Sequence, residues 1–273
     1  MANKLYNILV HIDFTTRNKW AIAKAIELAN SFDCNIHLVY VNRPANSLMG
    51  RSINNETVFR KLEQVKTLYK NQLCGEGDVE ISVLQGNVQK QLLNYIKQYE
   101  MDLVITGLSK INFVHRIISS VSISRLAKKA NIPVLAIRSG GLVCHFKKIV
   151  LPVSGEIPIR QIRFAALLGR AFKSTVYFVS LRKNADDITK GILDKALEMV
   201  QSISTIPVQC VLLEGQNLAK STLEFSRKIN ADLIMVNPIK DFCLPGLWNK
   251  LTNKLLSYGS KIPVVTVASS NNS

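Results

Sequence analysis

Few residues of this sequence combine the type and the position that catalysis requires. His11 and His37 fall inside predicted strands, while His115 falls in a loop and His145 in a linker, without the spacing of metal ligands. No G-x-S-x-G elbow, H-E-x-x-H helix or complete phosphate-binding Walker loop is present. Asp13 is the more informative residue, because it ends the first predicted strand. Ligands of open α/β sheets bind at the carboxyl ends of the strands.

The elements that must position Asp13 come from a long internal repeat. The segment from Asp102 to Arg138 predicts a buried strand at Leu103–Thr106, which stops at Gly107. A loop, a helix at about Val121–Ala130 and a second strand at Val134–Ile137 follow. The same pattern returns from Ala231 to Val267. Asp102 matches Asp232 and Pro133 matches Pro263, each pair 130 positions apart without a gap. A repeat of this length predicts two copies of one domain, at residues 1–140 and 146–270.

Strands alternate with helices through both copies. Short β-branched runs such as Tyr6–Asp13 and Asn35–Val41 are separated by amphipathic stretches, the first of which should be capped by Thr15 or Thr16. VLQG at 83–86 aligns with LLEG at 212–215 and marks the register of the repeat. This order predicts an α/β protein with right-handed crossovers and parallel sheets that carry helices on both faces.

The whole chain resembles two fused domains of the universal stress protein family, since each copy ends in strand, glycine loop, helix and an x-Pro-Val strand. The resemblance implies a Rossmann-like, five-stranded parallel sheet in the order 3-2-1-4-5 in each copy. It also implies a role for the loop: nucleotide-binding members carry G-x2-G-x9-G-[S/T] there, and its glycines let backbone N–H groups approach phosphates.

That loop keeps its spacing but has lost most of its glycines. The matching positions are Gly107, Lys110, Ser120 and Val121 in the first copy and Asn237, Lys240, Lys250 and Leu251 in the second. The resemblance further implies that Asp13 contacts a nucleotide and that Val41 lies near its base, whereas the second copy has Ser154 in place of Asp13. If ATP or AMP binds as a cofactor, we therefore expect it in the first copy.

Lys110 stands where the family has its second glycine. A glycine there can turn with positive φ and bring N–H groups to an anion, whereas a lysine loses that freedom and adds a mobile cation. The ammonium could recruit a phosphate, or it could be a solvated loop lysine. The second interpretation is preferred because Ser120 and Val121 have also changed.

The net charge of +16 is shared equally, since residues 1–146 and 147–273 each carry +8. A basic excess is compatible with nucleic acid or an anionic membrane. The sequence shows its cations singly on polar helix faces without interleaved aromatics, which makes a nucleic-acid partner the weaker expectation. No apolar run approaches the ~20 residues that span a bilayer, so no membrane association is expected.

Five scattered cysteines without a C-x-x-C pair indicate reduced thiols, and the N-terminus lacks a secretory apolar region, so a cytoplasmic protein is expected. The last strands, Pro133–Ile137 and Pro263–Val267, are short and apolar. Because members of the family pair through their last strands, we expect these two to pair within the chain as a pseudo-dimer, with further homodimerisation open.

Two functions of different class remain. The preferred one is a non-enzymatic stress-response protein that has a partner-binding or regulatory function and binds nucleotide weakly or not at all. The alternative is an adenine-nucleotide binder, or slow ATPase, that uses the first copy only. The altered loop residues favour the former, and Asp13 favours the latter.

Overall fold

The computed structural model describes residues 4–43, 54–108, 122–138, 145–182, 187–238 and 261–268, and the chain divides into two compact units between residues 143 and 144. The elements of the first unit are β1 (Asn7–Ile12), α1 (Asn18–Phe32), β2 (Asn35–Asn42), α2 (Asn55–Lys70), β3 (Val79–Gln85), α3 (Val88–Gln98), β4 (Leu103–Leu108), α4 (Ile123–Ala130) and β5 (Val134–Arg138). Those of the second unit are β6 (Lys148–Pro152), α5 (Ile159–Phe172), β7 (Thr175–Leu181), α6 (Asp187–Ile203), β8 (Val208–Leu213), α7 (Leu218–Lys228), β9 (Leu233–Val236) and β10 (Val264–Thr266).

The strand order confirms the predicted fold. In the first unit the strands follow the order β3-β2-β1-β4-β5, and every neighbouring pair is parallel. In the second unit the order is β8-β7-β6-β9-β10, again with parallel pairs. Each unit is therefore a five-stranded α/β sheet of order 3-2-1-4-5. The central strand β1 is buried on both faces, with Ile8, Leu9 and Val10 fully inaccessible to solvent, as expected for a parallel sheet covered by helices.

The repeated aspartates join the first strand of each unit to the fourth. The Asp102 carboxylate accepts hydrogen bonds from the backbone N–H groups of Tyr6 at 2.7 Å and of Asn7 at 3.0 Å. Asp232 does the same for the N–H of Lys148 at 2.9 Å. We call this pair of contacts the aspartate clamp. It lies at the amino-terminal end of the strands and gives a physical reason for the Asp102–Asp232 match.

Two turns are also repeated. Glu100 and Asn230, which precede the aspartates by two residues, both adopt left-handed φ, of 49° and 53°. Gly86 and Gly215, which follow β3 and β8, have φ of 120° and 115°, a region in which side chains with a Cβ are strained. The 83–86 and 212–215 segments thus share a backbone turn as well as a similar sequence.

The structure corrects the predicted beginning of α1. Neither Thr15 nor Thr16 caps this helix: the N-cap is Arg17, whose side chain makes no capping hydrogen bond. The Thr15 hydroxyl instead donates to the Asp13 carboxylate. The helix starts later because the Asn18 side chain, and not a threonine, organises the turn that precedes it.

The described helices include none that is long and apolar enough to cross a membrane.

Candidate functional site

The turn after β1 is held by the side chain of Asn18, the first residue of α1. Its amide oxygen accepts hydrogen bonds from the backbone N–H groups of Asp13 at 3.0 Å and Thr15 at 3.1 Å, and its amide nitrogen donates to the carbonyl of His11 at 3.2 Å. Asn18 is buried, so these bonds replace water for three backbone groups. This residue, which the sequence analysis missed, fixes the direction in which Asp13 leaves the sheet.

The Asp13 carboxylate is engaged by its own turn. One oxygen accepts from the Thr15 N–H at 3.0 Å and from the Thr15 hydroxyl at 2.5 Å, while the other lies 3.2 Å from the Arg17 guanidinium. The Arg17 Nε also donates to the Thr15 hydroxyl at 2.9 Å. The predicted ligand-contacting carboxylate is therefore internally paired, although 35% of its side chain remains exposed.

Gly107 does not end the fourth strand, contrary to the sequence-based prediction. It lies inside β4, opposite Ile137 of β5, and the strand continues to Leu108. A Cβ at this position would lie 2.8 Å from the Arg17 Cβ and 3.0 Å from the Arg17 carbonyl oxygen. The glycine is therefore explained by the close approach of the turn before α1 to β4, and it brings Gly107, Arg17 and Asp13 together.

Val41 lies in β2 one position after Tyr40, and Tyr40 is opposite Ile12 in the parallel register. Val41 is thus at the same level of the sheet as Asp13, one strand away, and it is buried. The other predicted site residues, Lys110, Ser120 and Val121, lie outside the described residues, as do Lys240, Lys250 and Leu251 in the second unit.

An aromatic pair lies beside this turn. Phe14 has a left-handed φ of 53°, and its ring centroid lies 5.1 Å from that of Tyr40. The Lys61 ammonium from α2 lies 5.6 Å from the centre of the Phe14 ring, within range of a cation–π contact. A bulky residue with positive φ needs stabilising contacts, and these two supply them.

His11, next to the turn, is a poor proton acceptor. Burial lowers its pKa from 6.5 to about 4; the negative charge of Asp13 opposes this shift, and the positive charges of Arg43 and Arg17 add to it. A general base works best with a pKa near the operating pH, so this buried imidazole is neutral and weakly basic at pH 7. Within the described ranges, no group of three His, Cys, Asp or Glu side chains could hold a metal ion.

Among its described residues, the second unit has neither an aspartate nor an aromatic ring in the turn after its first strand. Ser154 stands in place of Asp13 and is followed by Gly155, whose φ of 75° repeats the left-handed conformation of Phe14. A Cβ on Gly155 would meet no atom within 4 Å. The turn is thus retained in outline, without the carboxylate or the aromatic ring.

Gly107→Ala should destabilise the first unit by about 1–3 kcal/mol, because the new methyl group overlaps the backbone of Arg17. The thermal unfolding midpoint of the variant measures this. Gly191→Ala is the matched control: it lies in α6 with no atom within 4 Å of the added Cβ, and alanine is the better helix former, so this change should be neutral or stabilising. Equal midpoints for the two variants would contradict the packing role of Gly107.

The strand order defines a doubly wound α/β protein of the Rossmann-like type, a class in which ligands bind at the carboxyl ends of the strands, where Asp13 lies. In a comparison of the sequence with family models, residues 5–138 match the model of the Universal stress protein family. The match covers the first unit, and it confirms the resemblance there. A search of the curated proteins finds no match.

Solved structures show the same fold over nearly the whole chain. A universal stress protein from Archaeoglobus fulgidus is 12% identical, with a TM-score of 0.76 and 99% of each chain covered. A putative universal stress protein from Pseudomonas aeruginosa is 13% identical, with a TM-score of 0.63 and coverage of 97% of this chain and 94% of that one. The cytoplasmic domain of a prokaryotic cation chloride cotransporter is 12% identical, with a TM-score of 0.53 and coverage of 96% and 95%. At these identities the likeness concerns the fold.

Proposed function

We propose that this chain is a non-enzymatic stress-response protein of the universal stress protein family whose first domain binds adenine nucleotide weakly or not at all. The observation that carries the proposal is the contact between Gly107 and Arg17. Gly107 is the one family loop glycine that the first copy keeps, and packing against Arg17 accounts for it without a ligand. The matching positions Lys110 and Ser120 carry side chains where the family has glycine.

The chemistry of the strand ends supports the same proposal. A ligand hydroxyl that binds Asp13 must compete with Thr15 and Arg17, which already engage both carboxylate oxygens. His11, the nearest imidazole in the sequence, is a weak base because of its burial. Each backbone hydrogen bond to an anion that is lost costs about 1.5–3 kcal/mol. Two such losses weaken affinity by a factor of about 100 or more, which predicts ATP binding in the high micromolar range or weaker.

The test is calorimetric titration of the full chain with ATP and with AMP, together with Asp13→Ala. Ser154→Ala in the second domain is the control, because it alters the corresponding position without a carboxylate. We expect weak or undetectable heats for the unsubstituted protein, any residual binding to fall in Asp13→Ala, and no change in Ser154→Ala. Submicromolar affinity, or release of inorganic phosphate from ATP, would overturn the proposal.

A second candidate is an adenine-nucleotide binding protein, or slow ATPase, that uses the first domain only. It is favoured by the placement of Asp13 and Val41 at one level of neighbouring strands, beside the Phe14–Tyr40 pair. Submicromolar ATP affinity that Asp13→Ala abolishes and Ser154→Ala leaves intact would establish it.

A further inference from the structure

The cations of α3 and α4 form one surface of the first domain. Lys90 and Lys97 on α3 are seven residues apart, which places them on the same side of the helix about 10 Å from each other. Arg125, Lys128 and Lys129 on α4 have the i, i+3, i+4 spacing of one helix face. All five side chains are exposed. We call these five residues the basic face.

The two helices are adjacent, so their cations belong to a single surface. α3 packs beside α4, and the backbone N–H of Ser122, the N-cap of α4, donates to the Gln89 side chain of α3 at 3.0 Å. Neighbouring helices lie about 8–10 Å apart. The basic face is therefore a compact patch. It forms only in the folded domain, because α3 and α4 are separated in the sequence by β4.

Among the described residues, no ion pair neutralises the cations of this surface. Neither α3 nor α4 contains an acidic residue, and Glu100 comes only after the end of α3. None of the five cations makes an ion pair with another residue in the described part of the chain. The helices α2 and α7 differ: α2 carries Glu56 and Glu63 among its cations, and Lys220 of α7 lies 3.9 Å from Glu224.

The chemistry of the basic face favours one class of partner. Anchoring in a lipid surface uses exposed large apolar side chains, and a protein interface uses buried aromatic or aliphatic anchors. The outer side of α3 offers Asn94 and Gln98 beside its lysines, and the large apolar residues of α4, Ile123 and Leu126, are buried. Polar and cationic side chains of this kind are those that contact sugar-phosphate backbones.

The face is also unsuited to stacking unpaired bases. Among the described residues of α3 and α4 and their ends, the exposed aromatic ring is that of Tyr99, and it already packs in a tilted arrangement against Tyr95 with centroids 4.3 Å apart. Single-strand binding uses free aromatic rings on which bases stack. Contact with the backbone of a duplex requires none.

We propose that the basic face binds the phosphate backbone of duplex nucleic acid without sequence preference. This function is independent of the nucleotide site at the strand ends, because none of the five cations belongs to that site. The affinity should be electrostatic: with about four phosphates neutralised, the slope of log K against log salt is about −4, and binding weakens about 100-fold between 50 and 200 mM salt.

The experiment is fluorescence anisotropy of a labelled, mixed-sequence DNA duplex titrated with the full chain over that salt range. The test variant is Arg125→Gln/Lys128→Gln/Lys129→Gln. The control is Arg163→Gln/Lys190→Gln/Lys195→Gln, which removes the same charge from exposed positions of the second domain. We expect the test variant to bind at least ~10-fold more weakly at low salt with a slope reduced by about 2–3, and the control to retain affinity and slope.

Three outcomes overturn the proposal: no duplex binding at low salt, equal losses in both variants, which would show that only the overall charge matters, or preferential binding to phosphatidylglycerol vesicles, which would assign the face to a lipid surface. Circular dichroism of both variants checks that they are folded. Should the test variant be unfolded, Lys90→Gln/Lys97→Gln on α3 replaces it, with the slope expected to fall by about 2.

Discussion

Replacing Asp102 with alanine should destabilise the first domain by about 2–3 kcal/mol. The substitution leaves the backbone N–H groups of Tyr6 and Asn7 without the carboxylate that holds them, and hydrogen bonds to a charged acceptor are worth about 1.5–3 kcal/mol each, partly recovered from water at this edge. Asp102→Asn, which keeps an acceptor oxygen, should lose less. The thermal unfolding midpoint of the full chain, followed by calorimetry, measures both.

The same experiment on the repeat separates the clamp from a general effect of charge. Asp232→Ala removes one such bond, to Lys148, and should destabilise the second domain by a smaller amount. Glu224→Ala is the control, since its carboxylate is exposed and 3.9 Å from Lys220, and surface pairs contribute little. If Asp102→Ala shifted the midpoint no more than Glu224→Ala, the aspartate clamp would not contribute to the stability of the domain.

Acidification should destabilise the first domain through His11. The pKa of this imidazole is about 4 in the folded protein and 6.5 in an unfolded chain, so between these values the unfolded state binds a proton that the folded state does not. The contribution of His11 to the free energy of unfolding therefore falls as the pH is lowered from 6.5 towards 4, and it stays constant below pH 4. The full loss from this residue is about 3 kcal/mol.

The test compares the unfolding midpoint at neutral and at mildly acidic pH for the unsubstituted protein and for His11→Gln. The drop on acidification should be markedly smaller in His11→Gln. Thr106→Val is the control: Thr106 is buried opposite His11 on β4 but does not titrate, so its substitution should leave the pH dependence of the midpoint unchanged. An undiminished drop in His11→Gln would show that the imidazole is not buried as described.

The sequence was sufficient for the fold because its signals are local and repeated. Short β-branched runs between Gly, Asn and Pro predicted the strands, and the 130-residue spacing of Asp102 and Asp232 predicted two copies of one domain. The strand order of each sheet was implied by the family resemblance, and the structure confirms it. The predicted end of β4 at Thr106 was wrong because Gly107 was taken as the residue that terminates the strand. Gly107 continues the strand since β5 pairs with it and the turn before α1 packs over it.

The site was less predictable because its geometry depends on side chains that bridge separate elements. Asp13 was found from its place at a strand end, but its pairing with Arg17 and the role of Asn18 depend on how the turn closes. The D-x-T spacing of Asp13 and Thr15 is typical of an Asx-turn and was the available signal. The basic face was missed because α3 and α4 are separated in sequence by β4 and become neighbours only in the folded domain.

The position of the aspartate clamp has a consequence for how such a chain can change over evolutionary time. The clamp and the left-handed turn before it lie at the amino-terminal ends of the strands, whereas the family's ligand loop follows the carboxyl end of the fourth strand. Substitutions in the loop therefore leave intact the hydrogen bonds of Asp102 and Asp232, which join the first strand of each sheet to the fourth. One copy of a repeated domain can therefore differ at the ends of its strands, where Ser154 and Asn237 stand in place of Asp13 and Gly107, and still keep the contacts of its clamp aspartate.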